Sequence, residues 1–233
     1  LRGEAVDLNE REFTEELLEM AEGRRMALTQ AQAELCFEHA RLMLEWNERV
    51  NLTRITKVRD VVVKHVLDSM IPGSWLPREG LALDVGTGPG FPGVPLKVLS
   101  PGLDMVLVES NRKKVSFLKY LIAQLGLSRL RAVQSRWEDL GVALGGGSLA
   151  SVRLIVIRAV RLDEGVLTEL APKWLQNGGV LAWWAGPEAG PVEAAAIDDE
   201  MLRRAGMLFD GARSYSLPGA DAPRQVMLWQ KEG

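Results

Sequence analysis

Four glycines, Gly86, Gly88, Gly90 and Gly93, follow an apolar run from Leu81 to Val85 that carries a single acid, Asp84. Glycine admits positive φ and lets a ligand approach the main chain closely. The pattern therefore predicts a buried strand ending in a tight turn, where a doubly wound sheet binds a nucleotide-like ligand. The next apolar run, Asp104 to Val108, ends in Glu109, 21 residues beyond Gly88. A carboxylate at that place can accept both hydroxyls of a ribose.

The details of the turn bear on which cofactor it takes. Gly88-Pro89-Gly90-Phe91-Pro92-Gly93 satisfies G-x-G-x-x-G, but a dinucleotide site wants its first glycine directly after the strand and a regular helix start aimed at a pyrophosphate. Here the glycine after the strand is Gly86, and Pro89 and Pro92 interrupt the helix start. Asp84 would repel a pyrophosphate, whereas it suits the sulfonium and amino groups of S-adenosylmethionine. That cofactor is favoured over a nicotinamide, with Asp84, Gly86, Thr87, Gly88, Gly90, Phe91, Glu109 and Ser110 as its expected contacts.

Ligands in such sheets lie at the carboxyl ends of the strands, which brings Ser135-Arg136-Trp137-Glu138 and the end of the fourth strand, Arg158-Ala159, to the same cleft. Glu138 could bond an adenine edge and Trp137 could cover a ring; a short helical turn with a packed tryptophan reads equally well. Trp183 and Trp184 read as core and sheet face. Enzymes that methylate an exocyclic amine usually carry an Asn/Asp-Pro-Pro-aromatic run after the fourth strand, and this chain has Ile157-Arg158-Ala159-Val160. Cytosine C5 methylation needs a cysteine nucleophile, and Cys36 lies far away in the N-terminal helices. An acceptor with a free lone pair, such as a guanine N7, needs neither device.

The elements that must hold these residues alternate. Two amphipathic helices open the chain, Glu10 to Ala21 and a second one after the capping-box pair Thr29 and Gln32. A third, near Asp60 to Ile71, is expected to stop at Pro72-Gly73. Strands at 81–85, 104–108, 130–134, 152–157 and 180–184 alternate with helices, among them Asn111 to Leu125 closed by Gly126. This predicts a mostly parallel sheet. Gly145-Gly146-Gly147 reads as a loop and Asn177-Gly178-Gly179 as a turn. Two last strands, 207–217 and 225–230, give an antiparallel finish. The expected fold is α/β, a doubly wound seven-stranded Rossmann-like sheet (79–233) with an N-terminal helical extension (1–78) packed on it as one structural unit.

Hydrophobic content of 47% and charged content of 25% across 233 residues are those of an ordinary globule. No stretch is apolar enough for a membrane span, and the acidic, polar start is not expected to be a signal peptide. One cysteine excludes an internal disulfide framework, and with two histidines far apart it leaves no zinc cluster. A cytoplasmic protein without metal is expected. Net charge is −3, unevenly spread: −4 over 1–80, +6 over 81–161 and −5 over 162–233. Arg112, Lys113, Lys114, Lys119, Arg129, Arg131, Arg136, Arg153, Arg158 and Arg161 read as a basic patch for phosphates. A solvated helix face would account for the Arg112–Lys119 group alone.

Longer runs carry a family likeness. Trp46-Asn47-Glu48-Arg49-Val50-Asn51-Leu52-Thr53, Lys64-His65-Val66-Leu67-Asp68-Ser69, Asp84 through Leu96, Lys113-Lys114-Val115-Ser116-Phe117-Leu118 and Gln134-Ser135-Arg136 resemble the RsmG (glucose-inhibited division protein B) family. Its members are bacterial methyltransferases of a guanine N7 in small-subunit ribosomal RNA. The resemblance implies an S-adenosylmethionine-dependent 16S rRNA methyltransferase, monomeric, with the RNA or the small ribosomal subunit as partner. It puts Asn51, Arg136 and Arg158 at the chemistry, and His65, Asp68, Arg158 and Arg224 against the RNA. Read without it, His65 and Asp68 are an i, i+3 pair on one helix face. The chain departs from the family at Ile157, often serine, and at Ala185, usually lysine before the glycine matching Gly186. A methyltransferase of a small molecule or protein and a non-catalytic RNA-binding module are the rival readings.

Overall fold

The computed structural model of the protein describes residues 8–144, 151–159, 162, 164–185 and 199–233. The glycine loop at 145–147, Arg161 and Gly186 lie outside them. Seven strands, β1 (Gly80–Val85), β2 (Leu103–Glu109), β3 (Leu130–Gln134), β4 (Val152–Arg158), β5 (Leu175–Ala185), β6 (Met207–Tyr215) and β7 (Arg224–Lys231), form one sheet in the order β3-β2-β1-β4-β5-β7-β6. β1 to β5 run parallel, and β7 and β6 close the edge antiparallel. The expected doubly wound, mostly parallel sheet is what the chain forms.

Side chains alternate across the strands into two cores. Ala82, Leu154, Val156, Ala182 and Trp184 face one, and Leu83, Val85, Ile155, Ile157, Leu181 and Trp183 face the other. The first core is covered by α1 (Glu10–Glu22), α2 (Gln30–Asn47), a third helix α3 (58–70), α4 (Gly93–Leu99) and α5 (Arg112–Leu125). Phe13, Leu17, Leu42 and Met43 of the N-terminal helices are fully buried in this same cluster. At about 1.5–3 kcal/mol for each such side chain, they bind the helices to the sheet as part of its core. The second core is covered by the short helices after β3 and β4 and before β6.

Helix ends follow their sequence signals. Thr29 and Gln32 form the reciprocal capping box at the start of α2. Asn111 accepts from Lys113 N and Lys114 N, and Gly126 closes α5 in the left-handed conformation. Two segments differ from the sequence reading. The third helix begins earlier, at Val58, widens into a π-helical segment over Val62–Leu67, and passes through Pro72-Gly73 as a 3₁₀ turn, Ile71–Trp75. A proline in the first turn lacks an N–H that would have had no intrahelical partner, so it does not break the run. Asn177-Gly178-Gly179 is not a turn before β5 but a bulge within it. Val152 pairs with Leu175 and Leu154 with Val180, while Gly178 takes φ 71°.

Candidate active site

The glycine loop leaves β1 at the carboxyl edge of the sheet. Gly86 N and Thr87 N both donate to the Val108 carbonyl of β2, at 2.9 and 3.2 Å, which folds the chain back across the strand ends. Gly86, Gly88 and Gly90 have φ of 71°, 59° and 100°, the region that disfavours a side chain. A Cβ at Gly88 would meet nothing within 4 Å. A Cβ at Gly93 would sit 2.5 Å from Asp84 Oδ2, so that glycine is required for α4 to approach β1.

Asp84 is fully buried. Its Oδ2 accepts from Thr87 Oγ1 at 2.6 Å and from Gly93 N at 2.7 Å, while Oδ1 has no hydrogen-bond partner. Burial raises its pKa to about 6. In this geometry the carboxylate fastens both ends of the loop. Glu109, at the end of β2, spans the loop from the other side: Oε2 accepts from Gly88 N at 3.1 Å and Oε1 from Asn111 N at 2.8 Å. Ser110 beside it is exposed, and Gln134 pairs across from Glu109.

A second cluster forms where β4 ends against α3. Arg158 Nη1 lies 3.1 Å from Asp68 Oδ2 and 3.1 Å from Ser69 Oγ, and Nη2 lies 3.4 Å from His65 Nδ1. His65 Nδ1 thus accepts, which leaves its Nε2–H to donate to Thr53 Oγ1 at 2.9 Å. Tyr215 of β6 donates to Asp68 Oδ1 at 2.7 Å, and Trp184 Nε1 donates to the Asp68 carbonyl at 2.9 Å. Burial, and then the Arg158 charge, lower the His65 pKa to about 3, so its ring is neutral. His65, Asp68, Arg158, Trp184 and Tyr215, with Lys64 and Arg224, line a cavity of about 280 Å³ beside the strand ends. The wide π-helical segment carries His65 into it; such segments recur at functional sites.

The loop and this cluster meet at Phe91. Its ring stacks on His39 of α2 at 4.3 Å and on His65 at 4.6 Å between centroids, with the Arg158 guanidinium carbon 5.5 Å from its centre. His39 Nε2 donates to the Pro89 carbonyl at 2.7 Å, and burial lowers its pKa to about 4. The two histidines, 26 positions apart in sequence, therefore clasp one aromatic ring of the loop.

The residues expected from sequence fall into four groups. His65, Asp68, Arg158 and Arg224 come together around one cavity, and Gly86, Thr87, Gly88, Gly90, Phe91, Asp84 and Glu109 around one loop. His65 and Asp68 are joined through Arg158 rather than to each other. Asn51, Ser110, Arg136 and Glu138 are exposed, Asn51 on the segment that carries Thr53 to His65. Trp137 is buried in the second core with its indole N–H unpartnered, in the packed short turn that was one of its two readings. The described members of the expected basic patch do not lie together. Arg112, Lys113, Lys114, Arg136 and Arg158 lie at the carboxyl ends of the strands, but Arg129, Arg131 and Arg153 lie at the amino ends of β3 and β4. Arg129 and Arg153 are bonded there to the carbonyls of Pro101 and Gly178. Strand direction separates residues that sequence proximity had grouped.

Several site residues escaped the sequence reading. His39 lies three positions after Cys36 and four before Met43, on the buried stripe of α2, and that spacing was a legible signal. Tyr215 gave none, because its role depends on a pairing 147 positions away. Ala159, expected at the cleft beside Arg158, lies at the cavity wall; its left-handed φ of 55° is what the sequence did not announce, and such outliers gather at functional sites. Cys36 is buried, with its pKa pushed up to about 12.

Among the described residues, no helix is long and apolar enough to cross a membrane and no three His, Cys, Asp or Glu side chains could hold a metal ion. Residues 32–197 match the family model for GidB, rRNA small subunit methyltransferase G. The chain is 47% identical over 213 residues to ribosomal RNA small subunit methyltransferase G 1 of Syntrophobacter fumaroxidans, covering 91% of this chain and 93% of that one. It is 34% identical over 222 residues to ribosomal RNA small subunit methyltransferase G of Alkaliphilus oremlandii, covering 94% and 91%. The fold is similar to that of M. jannaschii TYW2, solved in complex with AdoMet, with a TM-score of 0.50 at 12% identity, covering 72% of this chain and 74% of that one.

Proposed function

The chain belongs to the GidB family, rRNA small subunit methyltransferase G, and on that premise we propose that it transfers the methyl group of S-adenosylmethionine to N7 of a guanine in 16S rRNA. The residues fit that cofactor. The space beside Gly88 would be filled by a Cβ, and the Glu109 carboxylate lies within reach of Gly88 N, where a ribose can replace one of its partners. When bound, S-adenosylmethionine supplies an electrophilic methyl group on a sulfonium. Gly86, Thr87, Gly88 and Gly90 would cradle it with the main chain, Glu109 would take the ribose hydroxyls, and Ser110, Trp137 and Glu138 would flank the adenine side. Asp84 acts through the loop, holding Thr87 and Gly93 in place.

The observation that carries the choice of acceptor is the cavity at Arg158. His65 and Asp68 are both engaged with Arg158 there, and Lys64 is paired with Asp60 at 2.9 Å. The imidazole of His65, with its pKa lowered to about 3, is a poor proton acceptor. A guanine N7 has no proton to lose, so its lone pair needs alignment and no base. Holding two reactants in line contributes on the order of 7–11 kcal/mol. An unstacked base would enter between the loop and the cavity, with Arg158 and Arg224 beside it and the exposed Asn51 and Arg136 on flanking RNA. Residues 1–78 act as a helical extension that forms one structural unit with the 79–233 core. The protein works in the cytoplasm as a monomer, on bare 16S rRNA or on the small subunit.

Mapping labelled methyl groups incorporated into unmodified small-subunit RNA tests this. One N7-methylguanine is expected. Labelling of a small molecule or protein alone, or no turnover at all, would overturn it.

A further inference from the structure

A second cavity, of about 510 Å³, lies on the other side of Tyr215 from the Arg158 cluster. Arg24, Arg25 and Arg78 line it together with Trp75, and among the described residues no carboxylate does. Among the described residues Arg25 and Arg78 are in no ion pair, and Arg24 spends one N–H on the Met20 carbonyl at 2.9 Å. Three cations around one hollow without a counter-charge repel one another, and an anion would relieve that repulsion. Arg25 also holds φ 55°, an unfavourable conformation for a side chain that large. The acids of this region, Glu15, Glu19 and Glu22, line the neighbouring groove on α1, which Arg25 borders.

The aromatic member narrows the anion's class. Trp75 is half-buried and meets Tyr215 edge to face at 5.9 Å. A partly open indole beside unpaired guanidinium groups offers stacking for a base and charge for its phosphate, the combination used to hold unstacked RNA. Tyr215 lines both cavities, and Asp68 of the first and Ile71 of the second stand three positions apart along one helical run, about 4.5 Å of rise. A strand whose base occupies the first cavity would bring a neighbouring nucleotide to the second.

We infer that the Arg24–Arg25–Arg78–Trp75 cavity is a second RNA site, which takes the phosphate and base of a nucleotide near the methylated one. This rests on the rRNA reading above. The test uses the full chain with unmodified 16S rRNA fragments, comparing wild type with Arg25→Glu/Arg78→Glu. The KM for RNA should rise at least tenfold, with Tm and S-adenosylmethionine affinity unchanged. The dependence of log affinity on log salt should flatten by about 0.7 for each lost contact to single-stranded phosphate. The neutral pair Arg25→Gln/Arg78→Gln gives the same reading if reversed charges unfold the chain, and Trp75→Phe should bind more tightly than Trp75→Ala. An unchanged KM and salt slope in a folded variant overturns the inference while leaving the rRNA reading intact. A loss seen with assembled subunits and absent with bare RNA overturns it in favour of a protein contact. A wild type that neither binds nor methylates RNA overturns both.

Discussion

Arg158 and Asp68 stand 90 positions apart in the chain and 3.1 Å apart in the fold, with side chains only 12% and 7% exposed. The sequence invited the view that Arg158 serves RNA more than folding; the structure shows it satisfied by a buried carboxylate. Removing one partner of a buried pair costs about 3–5 kcal/mol, because the other charge is left uncompensated. Arg158→Ala should therefore lower stability by that order in urea unfolding. Arg158→Lys should recover part of it, since an ammonium cannot span Asp68, Ser69 and His65 as a guanidinium does. A stability change under 1 kcal/mol in Arg158→Ala would refute the structural role.

Arg136 is the opposite case. It is exposed, and surface changes of this kind usually stay within about 0.5 kcal/mol. Arg136→Ala should keep the wild-type Tm and reduce methylation of 16S rRNA severalfold, with unchanged cofactor affinity. An equal loss of Tm and activity would assign it to folding.

Cofactor binding should depend on the loop and its latch. Gly88→Val adds atoms to open space and places a β-branched residue at φ 59°; the left-handed conformation alone costs roughly 1–2 kcal/mol. Glu109→Ala removes the acceptor from Gly88 N and Asn111 N. Calorimetry should show at least tenfold weaker S-adenosylmethionine binding for each. Wild-type affinity in both would mean the ligand lies elsewhere.

Stability should fall on mild acidification. His39 and His65 are neutral in the fold, with pKa values near 4 and 3, and protonate near 6.5 when unfolded. The unfolded chain thus binds more protons below pH 6.5, and stability is lost as pH falls toward 4. For His39 alone the loss is on the order of 3 kcal/mol. Asp84, raised from 3.8 to about 6, acts the other way: its contribution is full below its unfolded pKa and is lost as pH rises through 6. Two histidines outweigh one aspartate, so the net slope follows the histidines. His39→Gln, which can still donate to Pro89, should flatten the profile of Tm against pH between 6.5 and 4; an unchanged slope would contradict the buried neutral ring.

Much of this was legible in sequence because the signals are local. Alternation of apolar residues gave the strands, Asn111 and Gly126 gave the ends of α5, and the spacing from Asp84 to Glu109 gave the loop and its facing acid. What was hidden is set by tertiary pairing. Nothing near Tyr215 announces that it bonds Asp68, whereas the place of Arg153 at the amino end of β4, opposite Arg158, was already implied by a strand over 152–157. The π-helical widening at His65 was equally unreadable, because an apolar run with Val62, Val63, Val66 and Leu67 fits an ordinary helix. Asp84 shows a subtler limit: its position was correct, but its hydrogen bonds to Thr87 and Gly93 turn the carboxylate toward the loop.

The central claim is that the methyl acceptor is a ring nitrogen that needs no base. The most direct measurement replaces the mapped guanine of a 16S rRNA fragment with 7-deazaguanine, which puts carbon in place of the nucleophile, and follows methyl transfer from labelled S-adenosylmethionine. The analogue should bind with affinity close to that of the natural RNA and accept no methyl group, while natural RNA is methylated at a rate without a pH step from an enzyme base. Methylation of the analogue at the same nucleotide would show that another atom is the acceptor and would contradict the account.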